Sequence, residues 1–174
     1  MNNGHVNTGE REARTDELRK LIQSAFPAYI YDGAITNYDD KLEDPELDEE
    51  KELYEKLKGK AWTDLSQQLL DSQPDGYLLL VEKAFVAFVA AWLTRSLDNL
   101  DGENKVRDFV VYAFGPKRDL VPDMTEFIRQ RLITLDGQQR NVLHALLTEF
   151  AETDLSAIQR KLALEGIGLI DRLS

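Results

Sequence analysis

The stretch 78–97, LLLVEKAFVAFVAAWLTRSL, restricts the folds open to this chain more than any other part of it. Between Ala84 and Leu93 it is apolar on every face, and an element with no hydrated side belongs inside a core rather than at its boundary. A membrane span is the competing reading. Glu82 and Lys83 near one end and Arg95 near the other leave an uncharged segment shorter than the roughly 18 residues needed to cross a bilayer. The stretch therefore predicts a buried central helix. A chain of 174 residues is long enough to surround that helix with one core.

The flanking segments supply the surround. Residues 1–14 carry almost no large apolar side chain and are expected as a disordered tail, with a single helical domain over residues 15–174. From Thr15 as N-cap, Leu18, Leu21, Ile22, Ala25 and Phe26 fall on one helical face that Pro27 ends. Residues 29–40 have no helical period and read as a loop pinned by its tyrosines. Asp44 and Pro45 then suit the start of a helix that carries Leu47, Leu53, Tyr54 and Leu57 and stops near Gly59. Trp62 precedes Thr63, which is expected to cap a short helix presenting Leu65, Leu69 and Leu70.

Beyond the central helix, residues 98–104 read as a loop. The segment DFVVYAF has strand-like composition, yet Val106, Phe109, Val110, Ala113 and Phe114 keep helical spacing, and no second strand is nearby to pair with it, so a helix is predicted. Another is predicted from Pro122 to Leu132. The next carries Val142, Leu143, Leu146, Leu147 and Phe150 behind polar groups at Thr134, Asp136 and Gln138. Thr153 or Asp154 would cap a last helix with Leu155, Ile158 and Leu162, which Gly166 and Gly168 weaken before Ile167, Leu169 and Ile170 dock. The expected architecture is an all-α single-domain bundle of about seven helices around the buried element at 78–97.

Several chemistries are excluded or disfavoured at this level. With no cysteine, disulfides, zinc–thiolate sites and thiol catalysis cannot occur. The two histidines, His5 in the tail and His144 beside an apolar stripe, do not make a metal site, and His144 reads as a boundary histidine or, alternatively, a pH sensor. No Gly-rich phosphate loop is present. The loop at 98–103 brushes against a calcium loop, but aligning Gly102 with the required glycine puts Leu97 at the first ligand position. No cofactor or metal is expected. A net charge of −11 disfavours nucleic acid and anionic membranes and suits a basic protein partner, with plain solubility as the other explanation. The first 17 residues are polar where a signal peptide would be apolar, so the expected location is the cytoplasm.

Two features offer themselves as partner sites. Asp39, Asp40, Glu43, Asp44, Glu46, Asp48, Glu49, Glu50, Glu52 and Glu55, with Tyr54 among them, form an acidic helix and its approach, diluted only by Lys41, Lys51 and Lys56. It is a patch for a basic protein or a solvated helix face. The aromatic set Trp62, Tyr54, Tyr77 and Trp92 could anchor an interface, although Trp92 lies on the core helix. Arg129, Arg131, Arg140 and Arg160 are spaced as solvent-facing charges that balance local carboxylates.

The order of these pieces is similar to a known family. A Leu21-Ile22-Gln23-Ser24-Ala25-Phe26 helix precedes Gly59-Lys60-Ala61-Trp62-Thr63-Asp64-Leu65. Leu79-Leu80 then leads to Ala84-Phe85, Phe88 and Ala91-Trp92-Leu93, and Thr134 with Gln138-Gln139 to Val142, Leu146 and Leu147. From about Leu18 to Phe150 the chain resembles a family of small bacterial proteins catalogued only as a domain of unknown function. That family is marked by Gly-Lys-x-Trp-x-x-Leu ahead of a Leu-Thr-Pro-Glu-Ala-Phe helix start. Where the family tends to have Thr-Pro, this chain has Val81-Glu82, so the capped start of the central helix is expected to shift or be lost. The resemblance implies a compact helical bacterial protein and carries no reaction and no catalytic residue with it.

The function expected from charge and missing catalytic groups is a non-enzymatic acidic binding protein of the immunity or antitoxin type, neutralising a basic toxin or effector. An enzyme with a carboxylate-based site in an inter-helix cleft is one alternative. A regulatory or structural homo-oligomer is another.

Overall fold

The computed structural model describes residues 8–38, 47–100, 102–115, 122–153 and 156–173. Among these are eight α-helices and no strand: α1 (Thr8–Ala25), α2 (Asp48–Leu57), α3 (Gln67–Ser72), α4 (Glu82–Ser96), α5 (Lys105–Phe114), α6 (Pro122–Thr134), α7 (Gly137–Glu152) and α8 (Ala157–Asp171). Short 3-10 helices at Trp62–Asp64 and Gly76–Leu79 flank α3. The chain is the expected all-α bundle, with helical residues at 106–114 where strand-like composition competed. No helix of the described residues is long and apolar enough to cross a membrane.

α4 is the axis. Every residue from Ala84 to Leu93 except Val86 is buried, and α1, α3, α5, α6 and both 3-10 helices pack on it. The helix begins at Glu82 rather than Leu78, because Leu80 and Val81 are extended and the Val81 N–H is bonded to the Ile35 carbonyl at 2.9 Å. Val81, at the N-cap position, makes no side-chain cap hydrogen bond.

Of the four aromatic side chains that could anchor an interface, Trp62, Tyr77 and Trp92 are interior and Tyr54 is half-buried. The Trp92 indole N–H donates to the Gln73 carbonyl at 2.8 Å, and that of Trp62 donates to the Phe26 carbonyl at 2.9 Å. Tyr77 is fully buried, stacks on Phe114 with centroids 6.2 Å apart, meets Trp92 edge-on and donates its hydroxyl to the Phe109 carbonyl at 3.0 Å. Each polar tip has a buried carbonyl to satisfy, which fixes these rings inside.

Burial holds the Tyr77 phenol well above its ordinary pKa, and Asp75 pushes the same way. A raised folded-state pKa contributes stability that is complete below the unfolded value near 10 and lost as pH rises beyond it. Each further pH unit removes about 1.4 kcal/mol until the folded value is reached. Tyr77→Phe has no such ionisation. In urea titrations its deficit against the parent, about 1 kcal/mol at neutral pH from the lost hydrogen bond, is expected to shrink or reverse between about pH 9 and 11. A deficit constant across that range would remove the buried phenol.

Three further helix starts differ from expectation. α1 begins at Thr8, so residues 8–14 are helix rather than tail, and Thr15 is a buried mid-helix residue rather than a cap. Glu10, Arg11, Glu12, Ala13 and Arg14 are good helix formers, and Arg14 lies 3.1 Å from Glu152 and 3.7 Å from Glu149 on α7, which holds the extra turns against the bundle. Leu21 falls outside the buried face and is exposed. α3 is capped by Ser66, whose hydroxyl accepts the Leu69 N–H, while Thr63 lies inside the preceding 3-10 turn closed by the Asp64 carboxylate on the Ala61 N–H. α8 starts from a Ser156–Gln159 capping box; Thr153 instead donates to the Phe150 carbonyl at the end of α7, and Asp154 and Leu155 lie outside the described residues.

Gly166 and Gly168 do not interrupt α8, and Ile158 is exposed. Gly166 permits a close crossing: a Cβ there would stand 2.8 Å from the Phe114 carbonyl oxygen. A Cβ on Gly115, at the end of α5, would stand 2.6 Å from the Leu162 Cβ. The two glycines let α5 and α8 meet at backbone distance.

Between α4 and α5, the Asn104 amide donates to the Arg95 and Asp98 carbonyls at 3.1 and 2.6 Å, and its oxygen accepts the Arg107 N–H at 3.0 Å. Arg107 is buried and donates to the Leu100 and Gly102 carbonyls at 2.6 and 2.9 Å. Arg95 grips Asp71 through two bonds of 2.9 and 2.8 Å and Asp98 through one of 2.6 Å, and Arg19 reaches Asp98 from α1. This network straps α3 and α1 to the end of α4.

Arg131, expected at the surface, is buried. It donates to the Leu80 carbonyl and lies over the rings of Phe127 (4.8 Å) and Phe85 (5.4 Å). Burial lowers its pKa from the ordinary value, with Glu82 opposing the shift. Cation–π contact and carbonyl bonding replace part of the lost hydration. Arg140 also turns inward to the Leu135 carbonyl. Arg129 pairs with Glu126 at 2.7 Å, as expected of a surface charge.

Candidate functional site

The acidic helix of the sequence reading is α2. Its first turn is Asp48, Glu49 and Glu50, three carboxylates at the positive end of the helix dipole. The expected start at Asp44-Pro45, with Asp39, Asp40, Glu43 and Glu46, lies outside the described residues. Leu53 and Leu57 anchor the inner face with no exposure. Tyr54 is half-buried, its ring 5.7 Å from that of Tyr38, so it fastens the helix to the preceding loop more than it presents a surface.

Asp48, Glu49, Glu52 and Glu55 are exposed and Glu50 is half-buried. The cations of this helix and its end are already engaged: Lys51 lies 5.7 Å over the Tyr38 ring, Lys58 lies 5.2 Å over the Tyr54 ring, and Lys56 pairs with Glu52. Among the described residues, Asp48, Glu49, Glu50 and Glu55 make no ion pair. The outer surface of α2 therefore keeps a negative field.

Glu49, Glu52 and Lys56, at i, i+3 and i+7, share the edge of α2 that turns toward α3. There the helix forms one wall of a cleft of about 640 Å³. Lys60, Ser66, Gln68, Ser72, Gln73 and Asp75 also line it, and Leu69, Gly76 and Leu79 add apolar surface. The side-chain oxygen of Gln73 is shut off from solvent without a hydrogen-bond partner. Ser66 follows Lys60 closely, Gly76 lies against Leu53, and the bonds from Val81 to Ile35 and from Thr36 to the Glu50 carbonyl bring the far end of the second wall to the start of α2. The charged groups of the cleft are the carboxylates of Glu49, Glu52 and Asp75 and the ammonium groups of Lys56 and Lys60, with Glu52 and Lys56 pairing across one turn of α2.

Comparison with protein-family models, with curated proteins and with solved structures returned no match.

Glu49, Glu52 and Asp75 are exposed, which is the setting of a binding surface; an acid–base pair would call for buried carboxylates close together. The one strongly buried carboxylate noted above, Glu149, faces Arg14 at the α1–α7 contact. Among the described residues no group of three His, Asp or Glu side chains is arranged to hold a metal ion. His144 is half-buried with Nε2 3.3 Å from Asp171, a clip between α7 and α8. The sequence brought out the charge of α2 but missed the cleft. Its only signal was the i, i+3, i+7 spacing of Glu49, Glu52 and Lys56, which has no meaning until α3 lies opposite.

Proposed function

We propose that the chain is a non-enzymatic acidic binding protein of a small bacterial immunity or antitoxin type, acting in the cytoplasm, that neutralises a basic toxin or effector through the outward face of α2. The observation that supports this most is the imbalance on that helix. Asp48, Glu49, Glu50 and Glu55 make no ion pair among the described residues, whereas Lys51, Lys56 and Lys58 are held by rings or by Glu52. Unmatched carboxylates on a rigid, well-anchored helix attract a cationic surface during encounter and meet it without reorganisation.

The test is charge reversal at Glu49, Glu50 and Glu52, compared with the parent protein in affinity capture from the native host and in titration of the captured partner. Each carboxylate–cation pair lost at an interface costs about 1.5 kcal/mol or more, so the triple variant is expected to bind a basic partner at least about 100-fold more weakly. Parent binding should also weaken as salt rises. Capture unchanged by the three reversals would remove this function.

A further inference from the structure

Aspartate is followed by glycine at Asp32, Asp75, Asp101 and Asp136, of which Asp101 lies outside the described residues. Such a pair carries an intrinsic reaction, because glycine has no Cβ to keep its nitrogen away from the preceding side-chain carboxyl. The fold restrains it at two of the pairs. The Gly76 N–H donates to the Gln73 carbonyl at 3.1 Å, Gly76 is buried, and the Asp75 carbonyl accepts the Leu78 N–H at 2.8 Å. Asp136 caps α7: its Oδ1 accepts the Gln139 N–H at 2.8 Å, and its carbonyl accepts the Arg140 N–H at 2.9 Å. Residues 32–34 have no such restraint. They are exposed, and neither their backbone groups nor the Asp32 carboxylate makes a hydrogen bond or ion pair among the described residues. The Tyr31 ring, set edge-on to Phe88, lies across Gly33, where a Cβ would stand 2.6 Å from the Tyr31 Cζ.

We propose that Asp32–Gly33 is a modification site, at which Asp32 isomerises to isoaspartate in the folded protein and leaves the bundle intact. The Gly33 nitrogen attacks the side-chain carbonyl carbon of protonated Asp32 and gives up its proton, and the hydroxyl leaves as water to close a cyclic imide. Water then adds at the main-chain carbonyl of the imide and breaks the original peptide bond to nitrogen. The chain now runs through the Asp32 side chain, one methylene longer, with a free α-carboxylate. Water is the only co-reactant, and nothing is oxidised or reduced. The added length falls among exposed residues between two anchors, Tyr31 edge-on to Phe88 at 6.0 Å and the Ile35 carbonyl on the Val81 N–H at 2.9 Å. An exposed segment without hydrogen bonds absorbs an extra backbone atom by bulging into solvent, so both anchors persist. This site is independent of the reading of α2 as a partner surface.

The full chain is held at neutral pH in water enriched in heavy oxygen, digested in ordinary water and mapped by mass spectrometry, since each imide opening leaves one heavy oxygen atom in the residue. Incorporation at Asp32 is expected to run at least about tenfold faster than at Asp75 or Asp136, whose reaction must await a local opening of the fold. In urea the rates at these positions should converge, because the restraints on Asp75 and Asp136 are gone. Asp32→Glu keeps the charge but would have to close a larger, slower ring, and it should abolish incorporation at that position. Folded-state incorporation at Asp32 that is no faster than at Asp75 or Asp136, or at least about tenfold slower than at Asp32 itself in urea, would overturn the site. Chains isomerised at Asp32, separated by chromatography, are expected to melt within about 2 °C of the parent, as for other exposed changes. A larger fall in Tm would overturn the second half of the proposal.

Discussion

Trp92→Ala is expected to bring the protein close to unfolding. The indole has no exposed surface, meets Tyr77 edge-on at 5.8 Å, and stands within 3.1 Å of where a Cβ on Gly76 would project. Removing an aromatic of this size from a core costs about 3–5 kcal/mol, because surrounding side chains collapse only partly into the space. The Gln73 carbonyl would also lose its donor at a further expense of about 1 kcal/mol or more. Domains have only about 5–15 kcal/mol in total, so urea titration followed by circular dichroism should show a large fall in midpoint. Trp92→Phe, which keeps most of the ring, should lose less than half as much. A cost below about 1 kcal/mol for the alanine variant would mean that α4 is not the buried axis.

Gly115→Ala is the second large effect, and it acts by overfilling. The added methyl would stand 2.6 Å from the Leu162 Cβ and 2.8 Å from the Leu162 backbone oxygen, neither of which is the free end of a flexible side chain. Overpacking of this kind costs about 2–3 kcal/mol, and for a chain of this size that lowers Tm by roughly 5–10 °C. Gly137→Ala is the internal control, since a Cβ there meets nothing within 4 Å and the position is the first residue of α7. That change should raise Tm slightly by restricting the unfolded chain. Equal responses from the two positions in a thermal melt would show that α5 and α8 do not cross at backbone distance.

These two sites mark what was legible in the chain and what was not. Trp92 sits in a segment with no polar face, and such a segment has one physical destination, so the core helix followed from composition alone. The spacing of Val106, Val110 and Phe114 likewise decided helix against strand. Gly166 read only as a weak point in the last helix because propensity is a local property, whereas the crossing that requires Gly115 and Gly166 joins residues far apart in sequence. Arg131 was misplaced for the same reason: nothing near it in the sequence announces Phe85, Phe127 and the Leu80 carbonyl. The caps failed at Thr15, Thr63 and Thr153 where several hydroxyl or carboxylate residues lay within a few positions, and the backbone selected Ser66 and Ser156 by taking extended angles there. At the candidate site, α2 was readable as charge, but a cleft needs a second wall, and residues of α3 and the turn after it supply that wall only once the chain is folded.

The side chain of Asn104 closes α4 and opens α5 with one amide, and Arg107 fastens the carbonyls of the turn between them. This joins neighbouring helices through a short connection, for which the entropy of loop closure is small. Docking of α1 on α7, where Gln139 donates to the Ala25 carbonyl, instead links groups 114 positions apart. The α4–α5 hairpin can therefore organise with little loss of freedom, while the α1–α7 contact makes a far longer demand on the chain.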